Sequence, residues 1–288
     1  GATSLIPGPN STEMTMHCGH ERGGVAGLFV AGICFIVPAV AITGFFAWLY
    51  GRYGQLPAVE PFVYGIKPAV VAIIAAAVFK LGQKALKNNE LYVLGALTLI
   101  ASLLGVNEIM ALLAAGLAGG MYFWIKNKGT LPNLFPFLFL QSTPALVANI
   151  STAGIFWSFL KVGAVLYGSG YVLFAYLDAE LVMKGWLTRN ELMDAVAVGQ
   201  FTPGPVLSTA TFIGYQLNGW PGAAAATLGI FLPSFLFVWL LNPLVPKMRN
   251  SKFFAGFLDA VNVAAVAVMA AVLVDMGREA VQDWRSAL

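Results

Sequence analysis

Charge is scarce in this sequence: only 10% of its 288 residues are Asp, Glu, Lys or Arg, against about 25% in soluble globular domains. A soluble fold of this length would need far more polar surface, so that class is excluded before any motif is read. Histidine and cysteine are scarcer still, with two of each. Cys18 and Cys34 lie in or beside the first apolar segment, where they offer no disulfide framework and read as packing residues. His17, Cys18 and His20 crowd too closely to supply the separated ligand pairs of a structural zinc site, so neither metal nor cofactor is expected. Catalytic patterns are missing as well. The apolar segments hold no His-Glu-x-x-His, no Ser-His pair and no paired catalytic carboxylates, which argues against an intramembrane enzyme. The net charge of +3 is scattered through short stretches, which argues against nucleic acid as a partner. No basic stretch followed by an apolar one opens the chain, so a signal peptide is not expected.

What is abundant is apolar length. Runs near 25–50, 66–86, 91–104, 109–125, 154–177, 221–245 and 257–276 approach the roughly 20 residues that cross a bilayer. The fold class that follows is all-α, a polytopic transmembrane helix bundle. The run 91–104 is short and reads as one arm of a tight hairpin turned at Gly105-Val106-Asn107-Glu108. Between 195 and 217 the apolar pattern meets Pro203-Gly204-Pro205, which no continuous helix absorbs without losing hydrogen bonds, so a broken or re-entrant helix is predicted there. The stretch 126–151 carries Pro132, Pro136 and Pro144 and reads as a linker between a first half, 1–125, and a second half, 152–288.

Those halves are related. A shift of 195 positions places Gly19 on Gly214, Gly24 on Gly219, Gly27 on Gly222, Ala31 on Ala226 and Pro38 on Pro233. Pro7-Gly8-Pro9 meets Pro203-Gly204-Pro205 with one residue of slippage. Ala matches are cheap in an Ala-rich membrane protein, so the Gly and Pro matches carry the weight. Two similar halves with breaks at corresponding positions point to a secondary transporter whose site lies between them near the midplane. The same alignment leads one to expect about 45 residues, including one span, ahead of Pro7. Lys80, Lys84 and Lys87 after the second span, and Lys126 and Lys128 after the fourth, put those ends in the cytoplasm. Lys247, Arg249 and Lys252 do the same for the end of the repeat partner of the first span, so the halves are expected to be inverted, although Arg278 and Arg285 pull the other way.

A helix restarted inside the membrane presents free N–H groups and a partial positive charge, which suit an anion. The candidate substrate-binding residues are therefore Pro7, Gly8, Pro9, Asn10, Ser11 and Thr12 at the first break. Pro203, Gly204, Pro205, Ser208, Thr209 and Thr211 are their counterparts at the second, and capping of helix carbonyls is the plainer role for the hydroxyls. Lys161, about seven residues into an apolar run, is the candidate anion ligand, with snorkelling to the interface as the alternative. Glu13, just past the first break, is the candidate for proton coupling. Asp178, Glu180, Lys184, Arg189, Glu191 and Asp194 read as a solvated connection, and Gly23, Gly24, Gly27 and Gly168-Ser169-Gly170 as close-packing positions.

Several of these tracts occur together in one family. Gly199-Gln200-Phe201-Thr202-Pro203-Gly204-Pro205, Ala210-Thr211-Phe212-Ile213-Gly214-Tyr215 and Phe231-Leu232-Pro233-Ser234-Phe235 resemble the C-terminal half of the chromate ion transporter family. Gly168-Ser169-Gly170-Tyr171, Gly185-Trp186-Leu187-Thr188, the tract from Pro7 through Gly24 to Pro38, and Tyr64-Gly65-Ile66-Lys67-Pro68 extend the resemblance over nearly the whole chain. The resemblance implies a two-half, multi-pass carrier of the bacterial inner membrane that exports chromate by secondary active transport. Its partners would be chromate, with sulfate as an analogue, protons and the bilayer. A sulfate or other oxyanion carrier and an anion channel or sensing module are the rival readings, and a homodimer stays open.

Overall fold

The computed structural model describes residues 10–54, 60–126, 150–166, 170–241 and 251–280. Regular structure among them is helical throughout. In chain order the helices are α1 (Asn10–Tyr53), α2 (Glu60–Ala85), α3 (Asn89–Leu103), α4 (Glu108–Lys126), α5 (Thr152–Val165), α6 (Leu173–Leu177), α7 (Arg189–Phe201), α8 (Thr209–Leu241) and α9 (Lys252–Ala280). Among the described residues five helices, α1, α2, α4, α8 and α9, are long and apolar enough to cross a membrane. Outward faces are apolar too: Leu228, Leu232 and Leu236 run along the exposed side of α8, and Val93, Leu97 and Ile100 along that of the shorter α3. In water such stripes would be a liability; in lipid they are the solvated surface.

The longest helices are folded back on themselves. In α8 the Thr211 and Thr227 hydroxyls lie 2.8 Å apart although sixteen residues separate them, a stretch that a straight helix would extend over about 24 Å. The reversal falls at Asn218–Gly219, and Gly219 adopts φ 57° and ψ −151°, a region open in practice only to glycine. α1 reverses at Gly23–Gly24 with Gly24 at φ 58° and ψ −148°. The limbs then cross at backbone distance. A methyl on Gly19 would strike the Gly27 carbonyl and Ala31, and one on Gly214 would strike the Gly222 carbonyl and Ala226. The repeat thus encodes a helical hairpin twice. Gly23 and Gly24, expected as close-packing residues, instead form the turn: a methyl on either would meet nothing within 4 Å.

The copies run antiparallel. Along the long limb of α1, Gly32 abuts the Phe235 ring and Gly44 the Trp220 ring, so numbers rise on one helix as they fall on the other. α2 and its repeat partner α9 behave alike, with Gly82 near Val266 and Lys87 paired to Asp259 at 2.7 Å. Antiparallel pairing of both counterpart pairs makes the halves inverted repeats, as the distribution of basic residues predicted.

Other expectations meet the structure unevenly. α3 and α4 form the predicted hairpin, closed by Gly105 at φ 84° and by the Asn107 side chain accepting from the N–H groups of Ile109 and Met110. The single span expected over 154–177 does not form. α5 ends at Val165, Leu166 turns extended, and α6 folds back so that the Tyr176 hydroxyl donates to the Val165 carbonyl at 3.2 Å. Gly168 and Ser169, expected with Gly170 as close-packing positions, lie outside the described residues. The linker expected over 126–151 lies almost wholly outside the described residues.

Candidate functional site

The predicted break at Pro203-Gly204-Pro205 is present. α7 stops at Phe201, Gly204 takes φ 127°, a short 3-10 turn spans Val206–Ser208, and α8 starts at Thr209. Gly204 sits so close to the long limb of α1 that a methyl there would fall 2.6 Å from the Ala39 Cβ. The second-half break is thereby pressed against the first half. Pro203 and Gly204 are exposed and Pro205 is buried.

A cavity of about 400 Å³ opens beside this break, walled by both halves. Ser11, from the short limb of α1, stands in its wall together with Gly204, Lys84, Lys87, Asp259 and Asn262. Lys87 is engaged with Asp259, while Lys84 has no ion-pair partner among the described residues. The cavity therefore holds one committed and one free cation beside a broken-helix terminus, with an amide side chain within its walls.

The other candidates fall into two groups. Ser208, Thr209 and Thr211 are buried and occupied: Ser208 accepts from the Thr43 hydroxyl at 3.1 Å, Thr209 donates to the Val206 carbonyl, and Thr211 pairs with Thr227. Their observed contacts tie the restarted helix to its surroundings. At the first break Pro7, Gly8 and Pro9 lie outside the described residues and Asn10 opens α1. Thr12 and Glu13 are completely buried, and neither the Thr12 hydroxyl nor either Glu13 oxygen has a hydrogen-bond partner among the described residues.

Lys161 is not among the described residues that wall the cavity. It lies 3.6 Å from Glu180, which is also paired with Lys184. Glu180 thus offsets the roughly 2.5–3.5 kcal/mol cost of a lysine at the centre of a membrane helix.

The stretch 178–194 is not the solvated connection expected. Asp178, Glu180 and Asp194 are all buried. Each is answered by a polar group: Arg189 holds Asp178 through two contacts, of 2.9 and 3.1 Å, and the Tyr50 hydroxyl donates to Asp194 at 2.7 Å. Buried charges persist in membranes when paired in this way. The capping box Thr188–Glu191 that starts α7 is the one local signal in this stretch, and it marks a helix start rather than burial.

Two inverted repeats, each with a hairpin that doubles back, walling a cavity beside a helix break, define a polytopic membrane protein of two repeat-related halves. The family described as "Chromate transporter" matches residues 1–120 and 153–288, one stretch in each half. The chain belongs to the chromate transporter family. It is 31% identical to the chromate transport protein of Cupriavidus metallidurans over 99% of this chain and 73% of that protein. Against the probable chromate transport protein of Synechococcus elongatus it is 30% identical, covering 97% of this chain and 73% of the relative. The chromate transport protein of Pseudomonas aeruginosa is 27% identical over 95% of this chain and 69% of its own length. No solved structure matches the chain.

Proposed function

We propose that the protein is a secondary active exporter of chromate that works by alternating access between its inverted halves, with the shared cavity as the oxyanion site. The cavity carries this reading. A divalent oxyanion needs positive potential and hydrogen-bond donors, and the cavity supplies Lys84, Lys87, the Asn262 amide, the Ser11 hydroxyl and the N–H groups freed at the break. Lys84 and Lys87 lie at the end of α2 that the distribution of basic residues places in the cytoplasm, so the substrate loads from inside.

Lys84 is the free cation at this site, and Lys87 becomes available when the anion displaces Asp259. Pro203 and Pro205 keep the helix broken. Pro7, Gly8, Pro9, Asn10, Ser11 and Thr12 are assigned to the same site as the repeat counterparts of the second-half residues. Ser208, Thr209 and Thr211 hold the restarted helix in place, and Lys161 shapes the surrounding field through Glu180. Glu13, two residues from Ser11 and completely buried, is assigned to proton coupling. The driving force is the proton gradient or the membrane potential.

Everted vesicles containing the protein test this reading. Chromate accumulation there is expected to saturate, to collapse with the gradient and to fall when sulfate is added. Flux that rises linearly with chromate and ignores the gradient would mean a channel. Saturable transport of sulfate with no transport of chromate would reassign the substrate.

A further inference from the structure

A second polar cluster lies at the far end of the molecule from the cavity. α9 reaches both places: Asp259 and Asn262 stand in the cavity wall, while Asp275 lies sixteen residues further along, a rise of about 24 Å. There Arg189 holds Asp178 in the two-contact pair and stands 3.9 Å from Asp275, which is itself 4.0 Å from Arg278. Glu108, the first residue of α4, is within electrostatic reach of Asp178, Arg189 and Asp275. It is only 9% exposed, and its Oε2 is buried without a hydrogen-bond partner among the described residues. The neighbouring N-terminal amides of α4 are already taken by Asn107. α3, packed beside α4, brings no charge to this end, since its only charged residue, Glu90, pairs with Lys126 at the other.

Among the described residues, charge matching then leaves one group over. Asp178 matches Arg189 and Asp275 matches Arg278, so an ionised Glu108 would be an unmatched carboxylate away from water. From this geometry we infer that Glu108 is a proton-binding site of the transporter, the group that takes up the coupling proton on the side opposite the substrate cavity. This inference rests on the proton-coupled form of the proposed function. The step balances as a simple acid dissociation, in which the Glu108 carboxylic acid releases one proton to water and becomes a carboxylate. Water reaches the cluster along Asp275 and Arg278, whose side chains are 44% and 78% exposed. Once ionised, Glu108 competes for Arg189, and the contact that yields is the loosest one, to Asp275. Because Asp275 sits on α9, the proton state at one end and the oxyanion at the other act on the same helix.

The test uses the full chain in liposomes and compares two modes. Chromate/chromate exchange at equal pH moves no net proton, whereas accumulation driven by a pH gradient does. Glu108→Gln is expected to lower gradient-driven accumulation at least tenfold while exchange falls no more than threefold. Glu108→Asp keeps a carboxyl and is expected to retain coupling with a shifted pH midpoint. Gradient-driven accumulation by Glu108→Gln at the wild-type level would overturn the inference, as would equal loss of both modes, which marks a structural role. Should Glu108→Gln fail to insert, the pH profile of Glu108→Asp decides, and an unshifted midpoint overturns the proposal. Wild-type exchange without gradient-driven accumulation would remove proton coupling and this site with it. Absence of exchange in the wild type would instead strike the oxyanion-carrier reading itself.

Discussion

In α8 the hydroxyls that follow the break are all engaged, Ser208 with Thr43, Thr209 with the Val206 carbonyl and Thr211 with Thr227. In α1 the residues at and beside the matching positions, Thr12 and Glu13, are as deeply buried and have no hydrogen-bond partners among the described residues. The repeat shows why. Glu13 occupies the position of Ser208, and the position of Thr43 on the other long limb is Val238, a fully buried side chain that cannot hydrogen-bond. Val238 packs instead with Met16 and Leu28, one from each limb of α1. Both hairpins therefore keep the same reversal, with Gly24 matched by Gly219, while the polar chemistry beside it has diverged. Duplication preserved a path for the backbone and left one copy with a buried carboxyl that has no hydrogen-bond partner among the described residues.

The largest effect is expected from removing the break itself. Pro203→Ala with Pro205→Ala lets α7 run toward α8, withdraws the free N–H groups, and should lower chromate flux by more than about tenfold while insertion is preserved, as read by flux and membrane-fraction yield. Next come the turns. Gly24→Ala and Gly219→Ala force a Cβ into the same glycine-only region, and each should cost about 1–3 kcal/mol in denaturant unfolding. Unequal costs would show that the two reversals are not equivalent.

A smaller effect separates the lysines. Lys84→Gln should raise the chromate concentration at half-maximal transport about tenfold, near 1.4 kcal/mol, and Lys161→Gln should raise it less. The reverse order would return the anion to Lys161 and Glu180. The smallest change sharpens the contrast between the hairpins most. Thr43→Val should cost about 1 kcal/mol by stranding Ser208, and Val238→Thr should recover a similar amount by giving Glu13 a partner. Stability unmoved by Val238→Thr would mean that Glu13 faces elsewhere.

The break at Pro203-Gly204-Pro205, the repeat and its inversion were legible in the sequence because glycine, proline and lysine positions act locally on the backbone or on topology. The hairpin turn at Gly23–Gly24 was not, since apolar residues continue past it and a doubled-back helix has the hydrophobicity of a straight one. Burial of Asp178 and Glu180 was hidden for another reason. Arg189 is eleven residues from Asp178, so that pairing exists only once the chain has folded, and the Lys184–Glu180 pair four residues apart is as common on an exposed helix as on a buried one. Lys84 read as an ordinary cytoplasmic flank; its place in the cavity depends on α9, more than 160 residues away in sequence.

The cavity between the inverted halves is best tested by protection. Asn262→Cys, in a background with Cys18→Ala and Cys34→Ala, places one thiol in the cavity wall, and its rate of reaction with a membrane-impermeant maleimide is followed in everted vesicles. Chromate should slow that reaction in a saturable way, with half-protection at the concentration that half-saturates transport in the same variant. A labelling rate indifferent to chromate, in a variant that still transports it, would place the oxyanion site elsewhere.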